Sequence, residues 1–242
     1  QCMEQLPAQY ATQRVKALWG NPKTMTRRTK GLETVNECPD DWYFQSLVLH
    51  ASGRFTFAPL NVPTNLTDES CIVIAKPQYQ VGDQIYVRET FTVLEPEHCY
   101  DGMKSRFVYK VDCDLESEQT RKEYVAAGWP YKWKPSIHMP KDAARIWLEC
   151  TGIRCERLQD ITEADAIAEG IGLIDSSLFN DIRFVDYMDP KSNWRQPITS
   201  FQSLWAKING IDAWDHNPWV FVYSFKKLDQ SPQSLTSPNK KP

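Results

Sequence analysis

Asn21-Pro22-Lys23-Thr24-Met25-Thr26-Arg27-Arg28 is the stretch on which the reading of the fold turns. Pro22 forbids helix through it, and Gly20 just before it can take the left-handed conformation that stops one. The chain therefore switches here from an amphipathic run over residues 9–19 to a loop or the start of a strand. In that run Tyr10, Val15, Leu18 and Trp19 share one face. Between Gln5 and Lys30 lie Arg14, Lys16, Lys23, Arg27, Arg28 and Lys30, with no acid among them. These six come from 28 basic residues, so the remainder holds 22 against 31 acids. Positive charge is thus local. Lys and Arg offer only donors, so the turn suits an anionic or strongly hydrogen-bonding ligand, or else forms a solvated basic face.

The 242 residues, 41% hydrophobic and 24% charged, suffice for a substantial buried core, as one domain with insertions or two domains. A net charge of -3 argues against polyanion binding over the whole surface and confines any nucleic-acid contact to a patch. Nine Trp and sixteen Pro suit a strand-rich fold with many turns. The seven Cys are dispersed, with no Cys-x-x-Cys pair and no His at zinc-finger spacing. That pattern reads as reduced thiols in the cytoplasm, without a metal site. No apolar run reaches the ~18 residues a membrane span needs, and no secretory segment is evident.

Along the chain, residues 31–70 lack a clear period and read as an irregular excursion with one short strand near 54–57. Strands are expected at 71–75, at 84–89 after the Val81-Gly82-Asp83 turn, at 107–111, at 145–151 and at 219–225. A helix is expected near 122–127. Two prolines keep 133–140 extended or turned. Residues 162–169 carry the clearest helix pattern: Thr162 caps it, Asp165 follows three residues on, and Gly170 ends it. Residues 175–197 read as a second insertion, 199–209 as a helix, and everything beyond Leu228 as a disordered tail. Short strands with a few helices suggest a small barrel or curled sheet of the α+β class.

Three sites carry chemistry. Lys23 and Thr26 converge if the segment turns and point to opposite faces if it is a strand. A Thr hydroxyl becomes a nucleophile only when a base takes its proton, and Lys serves once like charge from Arg27 and Arg28, or burial, lowers its pKa. Otherwise Thr24 and Thr26 are ordinary strand residues and Lys23 is exposed. Glu169 ends a helix, where the macrodipole and Asp165 one turn back both raise a carboxyl pKa, unless the side chain is fully solvated. His138, between Trp133 and Met139-Pro140, can hydrogen-bond a ligand or a carbonyl but has no neighbours that would make a metal site. Trp19, Trp133, Trp205 and Trp219 either stack a base or fill the core.

Taken together, these segments resemble the ASCH domain family, a branch of the PUA-like β-barrels, in the elaborated form carried by bacteriophages and prophages. The resemblance rests first on Val15-Lys16-Ala17-Leu18 leading into Lys23–Arg28. It rests next on Val81-Gly82-Asp83, Tyr86-Val87-Arg88-Glu89-Thr90 and Trp133–Pro140 with Ala144-Arg145. The third block is Arg157-Leu158-Gln159-Asp160-Ile161-Thr162-Glu163-Ala164-Asp165-Ala166 through Glu169-Gly170, then Phe201, Leu204-Trp205, Ile208-Asn209-Gly210 and Asn217-Pro218-Trp219-Val220. It implies one PUA-like domain over residues 1–228, a small β-barrel with flanking helices and insertions near 31–70, 94–130 and 175–197, then a tail over 229–242.

Such barrels bind RNA or a modified base in a cleft. One branch hydrolyses the acetyl amide of 4-acetylcytidine with a Lys, a Thr and a Glu. Carried onto this chain, the likeness makes Lys23 the base, Thr26 the nucleophile and Glu169 the acidic member. Thr24, Arg27, Arg28, Arg88, Trp133 and His138 would bind the nucleoside or RNA, with no cofactor, metal or membrane. The family has Gly-Arg or Gly-Asn before its Lys, where this chain has Asn21-Pro22. The alternatives are a non-catalytic RNA-binding module and a phage accessory protein acting on a host protein; for a phage-encoded chain the compartment is the host cytoplasm.

Overall fold

The computed structural model describes residues 5–9, 23–46, 54–60, 72–93, 107–113, 133–174 and 181–229. In chain order the strands are β1 (Gln5–Gln9), β2 (Met25–Arg28), β3 (Trp42–Ser46), β4 (Phe55–Pro59), β5 (Val73–Ala75), β6 (Gln84–Arg88) and β7 (Phe91–Val93). They continue as β8 (Phe107–Tyr109), β9 (Trp147–Arg157), β10 (Leu173–Ile174), β11 (Arg183–Val185), β12 (Asn193–Trp194) and β13 (Trp219–Leu228). Helices are α1 (Glu33–Glu37), α2 (Lys110–Cys113), α3 (Glu163–Ala168) and α4 (Pro197–Asn209). By its contacts the chain divides into two compact units. Unit 1 takes in residues 1–21, 83–149 and 227–242, and unit 2 residues 22–82 and 150–226.

In unit 1, β6 lies between two neighbours. β1 runs parallel to it, Leu6 opposite Ile85 and Ala8 opposite Val87, and the start of β9 runs antiparallel, Ile85 opposite Leu148. Ile85, Tyr86 and Val87 are consecutive and all buried, as expected of a central strand covered on both faces. β7 pairs with β8, Phe91 opposite Tyr109. The Pro-rich 133–140 segment is held by a bridge from Lys134 to Phe91 and folds into a 3-10 turn at Ser136–His138.

In unit 2, β13 lies between the later part of β9 and β2. The alternation of β13 sorts its side chains onto two faces. Val220 and Val222 join Leu158, Ala166, Phe201, Leu204 and Trp205 in a core under α3 and α4. Trp219, Phe221 and Tyr223 face the other way, edge-on to Phe57, Phe55 and Tyr79. The aromatics Phe55 and Phe57 belong to the β3-β4-β5 sheet, where Phe44 stands opposite Phe57. Burial against both layers explains why Trp219–Tyr223 reads as an unbroken apolar run.

Several expectations are met. β4, β5, β6, β13, α4 and α3 fall where the sequence puts them, and Thr162 Oγ1 accepts from Asp165 N at 3.1 Å as a cap should. Gly170 takes a positive φ of 79° just past α3. Others need correction. The 31–70 stretch is not irregular where described: it holds α1, β3 and β4. The 175–197 stretch carries β11 and β12, which pair with each other and with β10. β9 runs six residues beyond its expected end at Thr151. These elements are stabilised by pairing with remote strands, so local periodicity does not reveal them. The expected helices over 9–19 and 122–127 and most of the tail lie outside the described residues.

The fold class is α+β. Among the described residues the sheets are open, and no described pairing closes a barrel. No helix among them is long and apolar enough to cross a membrane. Cys38 and Cys155 are free thiols.

Candidate functional site

The basic turn of the sequence becomes the start of β2. Thr24 N donates to Ala168 O at 2.9 Å and Thr24 O accepts from Phe225 N at 2.9 Å, so the segment is clamped between the end of α3 and β13. That clamp carries Lys23 inward. Its ammonium donates to Glu169 Oε2 at 3.0 Å, to Glu169 O at 2.7 Å and to Met25 O at 2.8 Å. Three N–H groups thus have three oxygen acceptors, and the Lys23 and Glu169 side chains are 0% and 1% exposed.

Arg27 continues the same face of β2. Its Nη2 donates to Glu156 Oε1 at 2.6 Å and Asp165 Oδ2 at 2.8 Å, and Nη1 lies 3.5 Å from Glu169 Oε1. The guanidinium sits 5.8 Å from the centre of the Phe201 ring. Arg154 closes the network from the outside, at 2.8 Å from Glu156 Oε2 and 2.5 Å from Asp165 Oδ2. Lys23, Arg27 and Arg154 therefore face Glu156, Asp165 and Glu169: three cations against three carboxylates. Side-chain exposure rises from 0% at Arg27 through 17% at Glu156 and Asp165 to 40% at Arg154. The repulsion expected between Asp165 and Glu169 is answered by Arg27 standing between them.

Strand register separates Thr26 from this group. Thr26 lies opposite Tyr223 and Arg27 opposite Val222, and side chains alternate, so the threonine occupies the other face of the sheet. It is 1% exposed, and its Oγ1 makes no hydrogen bond among the described residues. The structure brings Lys23 and Glu169 into contact, while the Thr26 hydroxyl bonds to neither. Thr24 is exposed and Arg28, opposite Phe221, is half-buried. Arg27, expected as a surface cation that holds ligand, is instead 2% exposed and neutralised by carboxylates. Arg154 and Glu156 lie beyond Thr151, where the sequence signal for the strand stops, so the sequence reading does not include them. Their i, i+2 spacing on an extended β9 was the available signal.

The other expected ligand contacts belong to unit 1. Arg88 donates to Ile137 O at 3.1 Å and Tyr86 Oη at 3.2 Å, with its guanidinium 5.5 Å from the Tyr86 ring centre. Trp133 is half-buried and His138 exposed. Beside them, Arg145 grips Glu89 at 2.9 and 2.8 Å and Asp112 at 2.6 and 3.0 Å, stacked 3.8 Å from the centre of the Tyr109 ring. Burial raises the Glu89 carboxyl above its ordinary range despite the Arg145 hydrogen bond and charge. Burial likewise pushes the Tyr109 phenol up to about 12, and its hydroxyl donates to Ala143 O at 2.5 Å.

Among the described residues no three His, Cys, Asp or Glu side chains gather as a metal site would require. The fold and this geometry define an α+β protein whose unit 2 is built around a buried, charge-balanced ion network. Comparison with family models, with curated proteins and with solved structures finds no match to this chain.

Proposed function

We propose that this chain is an ASCH-type, PUA-like protein that binds a modified nucleoside or RNA at the basic turn of unit 2. The observation that carries the reading is the Lys23–Glu169 pair. A motif lysine and a helix-terminal carboxylate, 146 residues apart, meet in a fully buried contact. A buried ion pair is seldom kept for stability alone, since apolar replacements of the same size hold a core at least as well. Its use here is to hold the turn rigid. Thr24, Thr26 and Arg28 then share the opposite face of the strand, and exposed Thr24 and half-buried Arg28 are the groups that reach a ligand.

Hydrolysis of an N-acylated pyrimidine nucleoside, of the 4-acetylcytidine type, is the second reading, and the Thr26 hydroxyl favours it. A buried hydroxyl with no partner costs about 1–3 kcal/mol, a cost that a substrate bonding to it would remove. In that chemistry a proton first passes from the Lys23 ammonium to the Glu169 carboxylate, and the neutral amine then takes the hydroxyl proton as Oγ1 attacks the acyl carbon. The C–N bond breaks, the amine leaves with a proton supplied by Glu169, and water frees the acyl group. A rotation that brings Lys23 toward Thr26 would be required first.

The test is incubation of the chain, Thr26→Val and Arg28→Ala with 4-acetylcytidine and with a short single-stranded RNA at two salt concentrations. RNA binding that weakens with salt, falls in Arg28→Ala and persists in Thr26→Val supports the binding reading. Release of acetate that vanishes in Thr26→Val supports hydrolysis. Neither turnover nor saturable binding would sink both.

A further inference from the structure

The chain passes from β2 into α1 through a turn closed by Leu32 N on Thr29 O at 3.0 Å, with Lys30 and Gly31 at its tip. Gly31 takes a φ of 90°, as the second corner of such a turn requires, and Lys30 stands exposed at the first. A Cβ on Gly31 would lie 2.4 Å from Lys76 O, so the tip rests against the residue that follows β5. In the β4-β5 pairing Phe55 lies opposite Ala75, which makes Arg54 and Lys76 the next pair outward. Phe55 and Ala75 are buried, so by alternation Arg54 and Lys76 share the outer face of the sheet, and both are exposed.

Lys30, Lys76 and Arg54 thus gather at one corner of unit 2. Glu33 stands near Lys30, its carboxylate held on Gly31 N at 3.0 Å. Arg54 and Lys76 make no ion pair among the described residues. Like charges facing each other across two strands repel, so the fold gains nothing from this pair and a bound anion would relieve it. The same outer face carries an exposed ring. Phe44 turns inward onto Phe55 and Phe57, which places Tyr43, opposite Ala58, outward at 40% exposed. Ile74 lies on that face too, 56% exposed. Ala58 is four positions along β4 from Arg54, about 13 Å at the rise of a strand. A ligand that meets the cations and the tyrosine together is therefore a chain with spaced negative charges and at least one flat ring. A duplex keeps its bases stacked inside and cannot offer that ring; an unpaired strand can.

We propose that the outer face of the β3-β4-β5 sheet binds a single-stranded nucleic acid, with phosphates on Lys30, Lys76 and Arg54 and a base stacked on Tyr43. This deepens the binding reading of the basic turn, naming its ligand as a strand rather than a nucleoside, and rests on that reading only where Arg28 is concerned. Arg28 lies opposite Phe221, whose ring centre is 5.1 Å from that of Phe55, so the two surfaces adjoin.

The test is fluorescence anisotropy of the full chain with labelled RNA and DNA single strands of about 12 nucleotides, with an RNA duplex, and with polyglutamate as competitor. Expected is saturable binding of a single strand, the tighter of the two naming the sugar, and at least about tenfold weaker binding of the duplex. Arg54→Ala combined with Lys76→Ala should weaken the strand about tenfold and lower the slope of log affinity against log salt by about 1.4. Tyr43→Leu should weaken it about tenfold and leave that slope unchanged. The three positions are exposed, and thermal melts check that each variant folds. Loss in the double variant with Arg28→Ala unaffected would support the sheet and remove the turn. Full affinity in the double variant with a loss in Arg28→Ala would overturn the proposal and leave the turn reading standing. Indifference to Tyr43→Leu, equal affinity for the duplex, or displacement by polyglutamate as readily as by unlabelled strand would each overturn it too. No saturable binding of either strand would overturn both.

Discussion

Arg27 and Arg154 touch the same two carboxylates, Glu156 and Asp165, yet burial gives them different weights. Arg27 has no solvent to replace its partners, and removing it leaves Asp165, Glu156 and Glu169 crowded around an apolar hole. Arg27→Met should cost about 3–5 kcal/mol, whereas Arg154→Met, at a side chain 40% exposed, should cost at most about 1 kcal/mol. Urea unfolding of the two variants measures the difference, and equal losses would contradict the graded burial of the network. Thr26 offers the converse. Its hydroxyl makes no hydrogen bond among the described residues, so Thr26→Val, which keeps the side-chain shape, should leave the unfolding midpoint unchanged or raise it. A loss above about 1 kcal/mol would mean that Oγ1 has a partner in the native state.

At the scale of elements, the turn from β2 into α1 depends on Gly31. Its φ is 90°, and a Cβ there would stand 2.4 Å from the Lys76 carbonyl oxygen, a backbone atom with no freedom to retreat. Gly82 has a similar φ of 94° but open space around it. Gly82→Ala should therefore carry only the left-handed strain, about 1 kcal/mol, and Gly31→Ala clearly more, about 2–4 kcal/mol once β5 must shift. Thermal melting of both variants checks the ranking. The same turn delivers β2 to β13, so a Gly31→Ala chain that folds should also show loosened Lys23–Glu169 geometry.

For the whole molecule, the buried tyrosines set the alkaline limit. Tyr109 is pushed up to about 12 and Tyr223 is raised further, both chiefly by burial. An unfolded tyrosine ionises near 10, so between pH 10 and 12 the folded chain holds protons that the unfolded chain has released. Stability from these groups is complete below pH 10 and falls as pH rises, by about 1.4 kcal/mol per unit for each fully shifted group. Denaturation midpoints measured from pH 9 to 12 should fall steeply above 10, and Tyr109→Phe should flatten that slope. Glu89 acts in the same sense at the acid end. Its raised pKa means that its contribution grows as pH falls toward the ordinary glutamate range, against the usual trend for paired carboxylates.

How much of this the sequence makes legible follows from the range of each signal. The Thr162 cap, the Gly170 stop, the buried run of β6 and the apolar stretch of β13 depend on residues a few positions apart, and the chain alone announces them. Glu169 could be singled out for the same reason, because the helix end that surrounds it is local. What it meets is not local. Arg27 is drawn inward by Glu156, Asp165 and Glu169, at 129, 138 and 142 positions along the chain, and no pattern near residue 27 distinguishes a buried, neutralised arginine from a solvated one. Thr26 is the sharper case, since either side of the sheet was open to it until pairing with Tyr223 turned the segment into a strand. Caps and periods come from neighbours in sequence; the burial of a charge and the face of a side chain come from partners that only folding brings near.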